Sequence, residues 1–235
     1  MERLRVPVCA ACGERLEAQE RLSEERLCGS CRTEQPPFER ALAYGGYSDG
    51  LRELILLLKY HGVRPAANVL GRMLAEAILE LSENFGETPP ITVPVPLHRS
   101  KLRQRGFNQS ELIARAAVKN FRMRGSERLS LETGLLERAR ETQSQTGLSA
   151  DQRRANVRGA FRVTERAAVA GKDILLIDDV FTTGTTVREC ARVLRRAGAS
   201  RVFVATVARA LKPEVTFAQL EDAEQERPLA MAAHA

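Results

Sequence analysis

Residues 174–186 read ILLIDDVFTTGTT, and no other stretch of the 235-residue chain narrows the fold so far. Ile174 to Ile177 is a short aliphatic run, the pattern of a strand buried on both faces of a parallel sheet. Asp178 and Asp179 follow at its carboxyl end, where open α/β sheets bind their ligands. Thr182-Thr183-Gly184-Thr185-Thr186 then turns the chain into a helix expected to run through Arg196, with Gly198 as its stop and residues 202–207 as the next strand. A strand, a crossover helix and a second strand predict an α/β fold with a mostly parallel, twisted sheet.

The rest of the chain supplies the other elements. A strand is expected over residues 41–47, and Leu51, Leu54, Ile55 and Leu58 recur at helical spacing before His61-Gly62 stops the run. A second helix fits residues 66–81, a loop 84–90, a strand 91–95, and a further helix 108–121. Glu137 to Arg158 has almost no apolar content and is too long for a routine connection, so it reads as either disordered or a functional loop. Three parts are expected: a small module over 1–37, closed by Pro36-Pro37, an α/β domain over 38–212, and an Ala- and Glu-rich tail over 213–235 with little to bury, expected to be disordered. The longest aliphatic run, Leu54 to Leu58, cannot span a bilayer, and the first residues lack the apolar core of an export signal. A cytoplasmic protein with reduced thiols is the expectation.

Four of the five cysteines form Cys9-x-x-Cys12 and Cys28-x-x-Cys31, with fifteen residues between the pairs. This is the spacing of a closed tetrahedral zinc site, in which each pair places two sulfurs on one ion. An iron–sulfur cluster fits the symmetric spacing poorly, and neither pair opens a helix after a strand as a redox pair would. Structural Zn2+ bound by Cys9, Cys12, Cys28 and Cys31 is therefore expected, in a zinc ribbon. Cys190 falls among Val187, Ala191 and Leu194 and reads as a packed apolar residue.

The turn after Asp178-Asp179 has a chemistry of its own. Gly184 permits a tight backbone, N–H groups and threonine hydroxyls converge, and the helix dipole favours a dianion, so the turn suits a phosphate monoester. The two carboxylates beside it are placed to accept from vicinal hydroxyls and to help hold a divalent cation. Together these describe a ribose 5-phosphate site; the plain alternative is Thr182 as an N-terminal cap and the two Asp as a solvated turn. Arg99, Lys101, Arg103 and Arg105 put four cations within seven residues after a strand, suited to a leaving group that gains charge, or else to a basic helix start facing solvent or nucleic acid. The formal charge of +6 is concentrated: residues 90–212 carry +13, against −1 for 1–37, −2 for 38–89 and −4 for 213–235.

The run ILLIDDVFTTGTT resembles the phosphoribosyl-pyrophosphate (PRPP) motif of the type I phosphoribosyltransferases. From Cys9 to about Arg209 the chain is similar to the ComF family of that superfamily. The paired CxxC, Leu54 through Gly62, Val93 through His98, Arg105 through Gln109, and Arg138 through Phe161 carry the likeness. The resemblance implies a twisted parallel sheet with a hood that binds PRPP with Mg2+. Phosphate would lie on Thr182, Thr183, Gly184, Thr185 and Thr186, with Asp178 and Asp179 as the catalytic pair on the ribose hydroxyls. Pyrophosphate would lie on the loop bearing Arg99, Lys101, Arg103 and Arg105, under a flexible closing loop with Arg138, Arg140, Thr142, Gln145, Arg153 and Arg154. It also implies a part in DNA uptake during natural transformation, with single-stranded DNA and a competence helicase as partners. Two activities are consistent with it: phosphoribosyl transfer to an acceptor, and a non-catalytic adaptor that binds single-stranded DNA and uses PRPP as a regulatory ligand. Orotate-type relatives bring a Lys in the closing loop, whereas no Lys lies between Lys119 and Lys172 here. His61 and His98 are the candidate bases, though a His beside Pro or Gly in a loop more often makes a structural hydrogen bond.

Overall fold

The computed structural model describes residues 7–123, 129–142 and 149–211. Gln145 and the tail over 213–235 lie outside them. The elements in chain order are α1 (Ala18–Arg21), α2 (Gly29–Thr33), β1 (Arg40–Gly46), α3 (Asp49–His61), α4 (Ala66–Ser82), β2 (Ile91–Pro94), α5 (Arg99–Arg105) and α6 (Gln109–Met123). They continue with β3 (Ser130–Leu131), β4 (Leu136–Arg138), α7 (Ala150–Val157), β5 (Phe161–Val163), α8 (Arg166–Val169), β6 (Asp173–Phe181), α9 (Thr185–Arg196) and β7 (Arg201–Arg209). Five strands form one parallel sheet in the order β1-β7-β6-β2-β3, while β4 and β5 pair antiparallel in a separate ribbon.

Strand pleating divides the core. Ile174, Leu176, Val202 and Val204 face α9, the β4–β5 ribbon and the cysteine module. Leu175, Ile177, Phe203 and Ala205 face α3, α4 and α6 on the other side. With both faces covered, β6 and β7 lose the polar alternation of a half-exposed strand and read as near-continuous apolar runs. On the second face α4 and α6 approach so closely that a Cβ on Gly71 would stand 2.3 Å from the Ala116 Cβ. A larger residue at 71 would force the helices apart.

Three expectations change. First, β6 does not end before its acidic pair but passes through it to Phe181, because β7 extends to Arg209 and keeps pairing, Asp178 with Thr206 and Phe181 with Arg209. Second, the basic stretch after β2 is a short helix, α5, rather than an open loop. The His98 ring caps it by accepting from the Ser100 N–H at 3.3 Å, and Gly106, at φ 77°, ends it. His98 is thus the structural hydrogen-bonder. Third, the polar segment 137–158 carries regular structure: β4 reaches into its start, and α7 is nucleated by a capping box between Ser149 and Gln152. Val157 is the apolar residue α7 buries in the core, so the segment shows no amphipathic period. Among the described residues no helix is long and apolar enough to cross a membrane.

The cysteine module packs against the domain that follows it. Its four cysteines and Leu16 share one apolar cluster with Phe38, Phe181 and Leu194. The Ala41 N–H donates to Ala11 O at 2.7 Å, which fastens the first knuckle to edge strand β1.

Candidate functional site

Parallel β6 delivers Asp178 and Asp179 to its carboxyl end with both side chains buried. Ser110, in the first turn of α6, donates its hydroxyl to Asp178 Oδ1 at 2.9 Å, and the Asp179 N–H donates to the same oxygen at 2.9 Å. Lys59, in the last turn of α3, pairs with Asp179 Oδ2. Burial and then repulsion from Asp179 push the Asp178 carboxyl up to about 7, against the pull of Lys59. Burial alone would depress Lys59, but the carboxylates of Asp179 and Asp178 outweigh it and hold the ammonium above its usual range. The pair is therefore a compact acidic site with an internal cation.

Neither Lys59 nor Ser110 was identified from sequence. Lys59 does leave a trace there: it falls four residues after Ile55 and eight after Leu51, on the stripe that α3 buries. A lysine on a core stripe is a buried charge that needs a partner. Ser110 leaves no comparable signal, since serine in a first helical turn is ordinary.

The threonine turn adjoins this pair. Gly184 adopts φ 73° and is the N-cap of α9, with no side-chain cap bond. A Cβ there would also stand 2.4 Å from the Phe181 ring, so both the dihedral and the space require glycine. Thr182 is not the cap that the plain alternative supposed. Thr183 and Thr185 share a hydroxyl–hydroxyl hydrogen bond of 2.6 Å, Thr182 and Thr183 are exposed, and Thr185 is buried. The start of α9 is thus left without a side-chain cap, next to the carboxyl end of β6.

Of the four α5 cations, Lys101 and Arg105 are half-buried while Arg99 and Arg103 are exposed. Arg105 donates to Gln109 Oε1 at 2.5 Å and lies 5.8 Å over the Tyr60 ring. Lys59, Tyr60, Lys101, Arg105 and Phe107 line a cleft of about 560 Å3. Burial, then the charges of Arg138 and Arg105, lower Lys101. Arg138 is itself lowered by burial, opposed by Cys190 and Asp178, and it donates to the Thr142 hydroxyl. Lys101, Arg105, Arg138 and Thr142 thus belong to one electropositive rim close to the acidic pair. Arg140 does not join it: it donates to the carbonyls of Asn156 and Arg158, each at 2.9 Å, and ties the ribbon to α7. Arg153 and Arg154 sit on α7, which packs on α9.

The four cysteines form a second buried group. Their sulfurs all lie within 4.8 Å of one another, and Cys12 Sγ is 3.7 Å from Cys28 Sγ. A tetrahedron with metal–sulfur bonds of about 2.3 Å has edges of about 3.8 Å, so the cage fits a zinc-sized ion. Hydrogen bonds from Cys12 and then Cys31 hold the Cys28 thiol down at about 6. Around the cage, Arg209 donates to Cys12 O at 2.5 Å and to Glu14 Oε2 at 2.9 Å, and Arg188 reaches Cys31 Sγ at 3.6 Å.

The sequence matches the family described as phosphoribosyl transferase domain over residues 123–221. It is 34% identical over 185 residues to the DNA utilization protein YhgH of Escherichia coli K12, covering 78% of each chain. The chain belongs to the ComF family of type I phosphoribosyltransferase proteins. A second ComF-family relative, competence protein F of Haemophilus influenzae, is 28% identical over 206 residues, covering 87% of this chain and 85% of that one. Among solved structures, a hypoxanthine phosphoribosyltransferase from Staphylococcus aureus aligns with TM-score 0.41 and 14% identity, covering 63% of this chain and 70% of that one. Three of the ComF-like stretches meet in space: Lys59 through Gly62 shares the cleft with Arg105 and Phe107, and the Asn108 side chain donates to Val95 O at 3.0 Å.

Proposed function

We propose that this ComF-family protein binds PRPP with Mg2+ at the carboxyl end of β6 and serves in the use of incoming DNA. The observation that carries the reading is the opened start of α9. Gly184, pressed against Phe181, holds a hydroxyl-lined turn beside two buried carboxylates. In this reading the 5-phosphate sits on Thr182–Thr186, Asp178 and Asp179 accept from the ribose hydroxyls, and Lys101, Arg105 and Arg138 face the pyrophosphate. The oxygen donors of Asp178 and Asp179 suit a hard cation, and Mg2+ bound there with the diphosphate would offset the charge of the leaving group. Where an acceptor is present, the ribose C1–O bond to pyrophosphate breaks, a bond from C1 to the acceptor forms, and the acceptor's proton is released. Burial and then the charge of Asp179 hold the Asp178 carboxyl up to about 7, so in its deprotonated form it can take up that proton.

Zinc in the cysteine cage and a cytoplasmic setting, where thiols stay reduced, complete the proposal. The DNA role draws on the two relatives, a DNA utilization protein and a competence protein, and on the exposed Arg99 and Arg103, which leave positive charge outside the cleft. In the adaptor reading the same surface holds single-stranded DNA, a helicase is the partner, and PRPP regulates without being consumed. Calorimetric titration of PRPP, with and without Mg2+, tests the site: the wild type binds and Asp178→Asn/Asp179→Asn does not. Equal binding by both proteins, or none by either, sinks the assignment. Fluorescence anisotropy of labelled single-stranded DNA across a salt series tests the adaptor, with affinity that falls with salt and on reversing Arg99 and Arg103 as the expected result.

A further inference from the structure

We infer that Arg209 and Arg188 are positioning residues through which a divalent metal in the four-cysteine cage sets the geometry of the threonine turn. Four thiolates on a divalent ion leave a net charge of about −2, and a buried charge of that size needs partners. The fold supplies two guanidiniums, one to each CxxC. Arg209, 4% exposed, places Nη2 3.7 Å from Cys12 Sγ. Arg188 places its Nη2 3.6 Å from Cys31 Sγ, and its buried Nη1 has no hydrogen-bond acceptor among the described residues. Groups of this kind around a metal typically change its affinity by about 10–100-fold.

Both guanidiniums also continue into the turn. Arg209 lies 4.3 Å over the ring of Phe181, the ring that a Cβ on Gly184 would strike. Arg188 is in the first turn of α9, and its N–H donates to Gly184 O at 2.8 Å. Its guanidinium lies 5.8 Å over Phe38, which meets Phe181 edge-on at 6.3 Å. Two continuous paths therefore join cage to turn, Cys12–Arg209–Phe181–Gly184 and Cys31–Arg188–α9, cross-braced by Phe38. With metal bound, both guanidiniums are drawn to the cage and Phe181 is held against Gly184. Without it, that attraction is lost at both ends, and Arg209 is left with Cys12 O and Glu14 alone on the cage side. By reciprocity, an anion that orders the turn tightens metal binding by the same factor.

The test uses the full chain, loaded with Zn2+ and then stripped with a chelator under reducing conditions, with circular dichroism to follow folding. Hydrogen exchange at the amides of residues 182–188 is read in both states. The loaded-to-stripped ratio is the measured quantity: about tenfold slower exchange on loading in the wild type, and near unity in Arg209→Gln and Arg188→Gln. A purely structural role would speed exchange in both states and leave the ratio intact, so a ratio near unity in the wild type, or an unchanged ratio in both variants, overturns the inference. If stripping or Arg209→Gln unfolds the chain, the Zn2+-loaded protein decides through Arg188: turn exchange about tenfold faster in Arg188→Gln and restored in Arg188→Lys, which keeps the charge beside the cage, supports the coupling, and equal exchange in Arg188→Gln or no recovery in Arg188→Lys overturns it. The consequence for ligand rests on the proposed PRPP site, whereas the exchange ratio involves no ligand. Loaded wild type that fails to bind PRPP sinks the site assignment and leaves the coupling standing. Loaded wild type that binds PRPP no more tightly than a folded, stripped chain sinks the coupling and leaves the site.

Discussion

At the end of β6 the buried carboxylates find partners within the chain, whereas the four cysteines have no such partners among themselves. Asp178 and Asp179 are answered by Lys59 and Ser110 from α3 and α6, two helices on one face of the sheet. Cys9, Cys12, Cys28 and Cys31 are four groups of one kind, and the guanidiniums beside them become useful once they are ionised. The acidic pair is partnered by the chain's own side chains. The four cysteines could hold a metal ion, and its charge would supply the balance they lack.

The strongest way to break this contrast is Cys28→Ser. It is expected to abolish stoichiometric zinc by atomic absorption and to unfold the module, because structural zinc binding is worth about 10–16 kcal/mol in small modules. Retention of metal with unaltered melting would mean that packing alone holds the module. Next in size is Lys59→Met, which strands Asp179, 4% exposed, without its partner. A loss of about 3–5 kcal/mol in urea unfolding is expected, and the double variant Lys59→Met/Asp179→Asn should recover much of it. Gly184→Ala acts through both the positive φ and the 2.4 Å approach to Phe181, with an expected loss of about 1–3 kcal/mol and weaker PRPP binding by calorimetry. The smallest effect is a slope with pH. Asp178 titrates near 7 in the folded chain against an ordinary 3.8, so the folded state holds the extra proton between those values. Stability of the ligand-free protein should therefore fall as pH rises from about 4 to 7, by at most about 1.4 kcal/mol per pH unit from this group, and Asp178→Asn should flatten that part of the profile.

Sequence alone brought out the acidic turn and the cysteine pairs because each is local. The acids, the glycine and the threonines of the turn are consecutive, and each CxxC is a four-residue knuckle whose chemistry travels with its spacing. The long helices α3, α4 and α6 were legible for a similar reason, since their apolar periods are sustained over three to five turns. What escaped was short or held by distant partners. α5 is capped by a histidine side chain, α7 by a capping box in a segment with little apolar content, and β3 is two residues long. Arg140, which the resemblance implied for the closing loop, is held within that same segment by distant carbonyls, those of Asn156 and Arg158.

The chain's own order of residues thus determined a parallel α/β sheet, a glycine and threonine turn beside paired acids, and a cluster of four cysteines that could hold a metal. All three follow from spacing and backbone chemistry within a few residues. Only the tertiary structure decided that Lys59 and Ser110 complete the acidic pair, and that the cage is seated against β1 and α9. It alone decided that Arg209, 197 residues from Cys12 along the chain, links cage to turn. Burial is the physical reason: a charge taken out of water must find its partner wherever packing has brought one, and sequence distance places no limit on that choice.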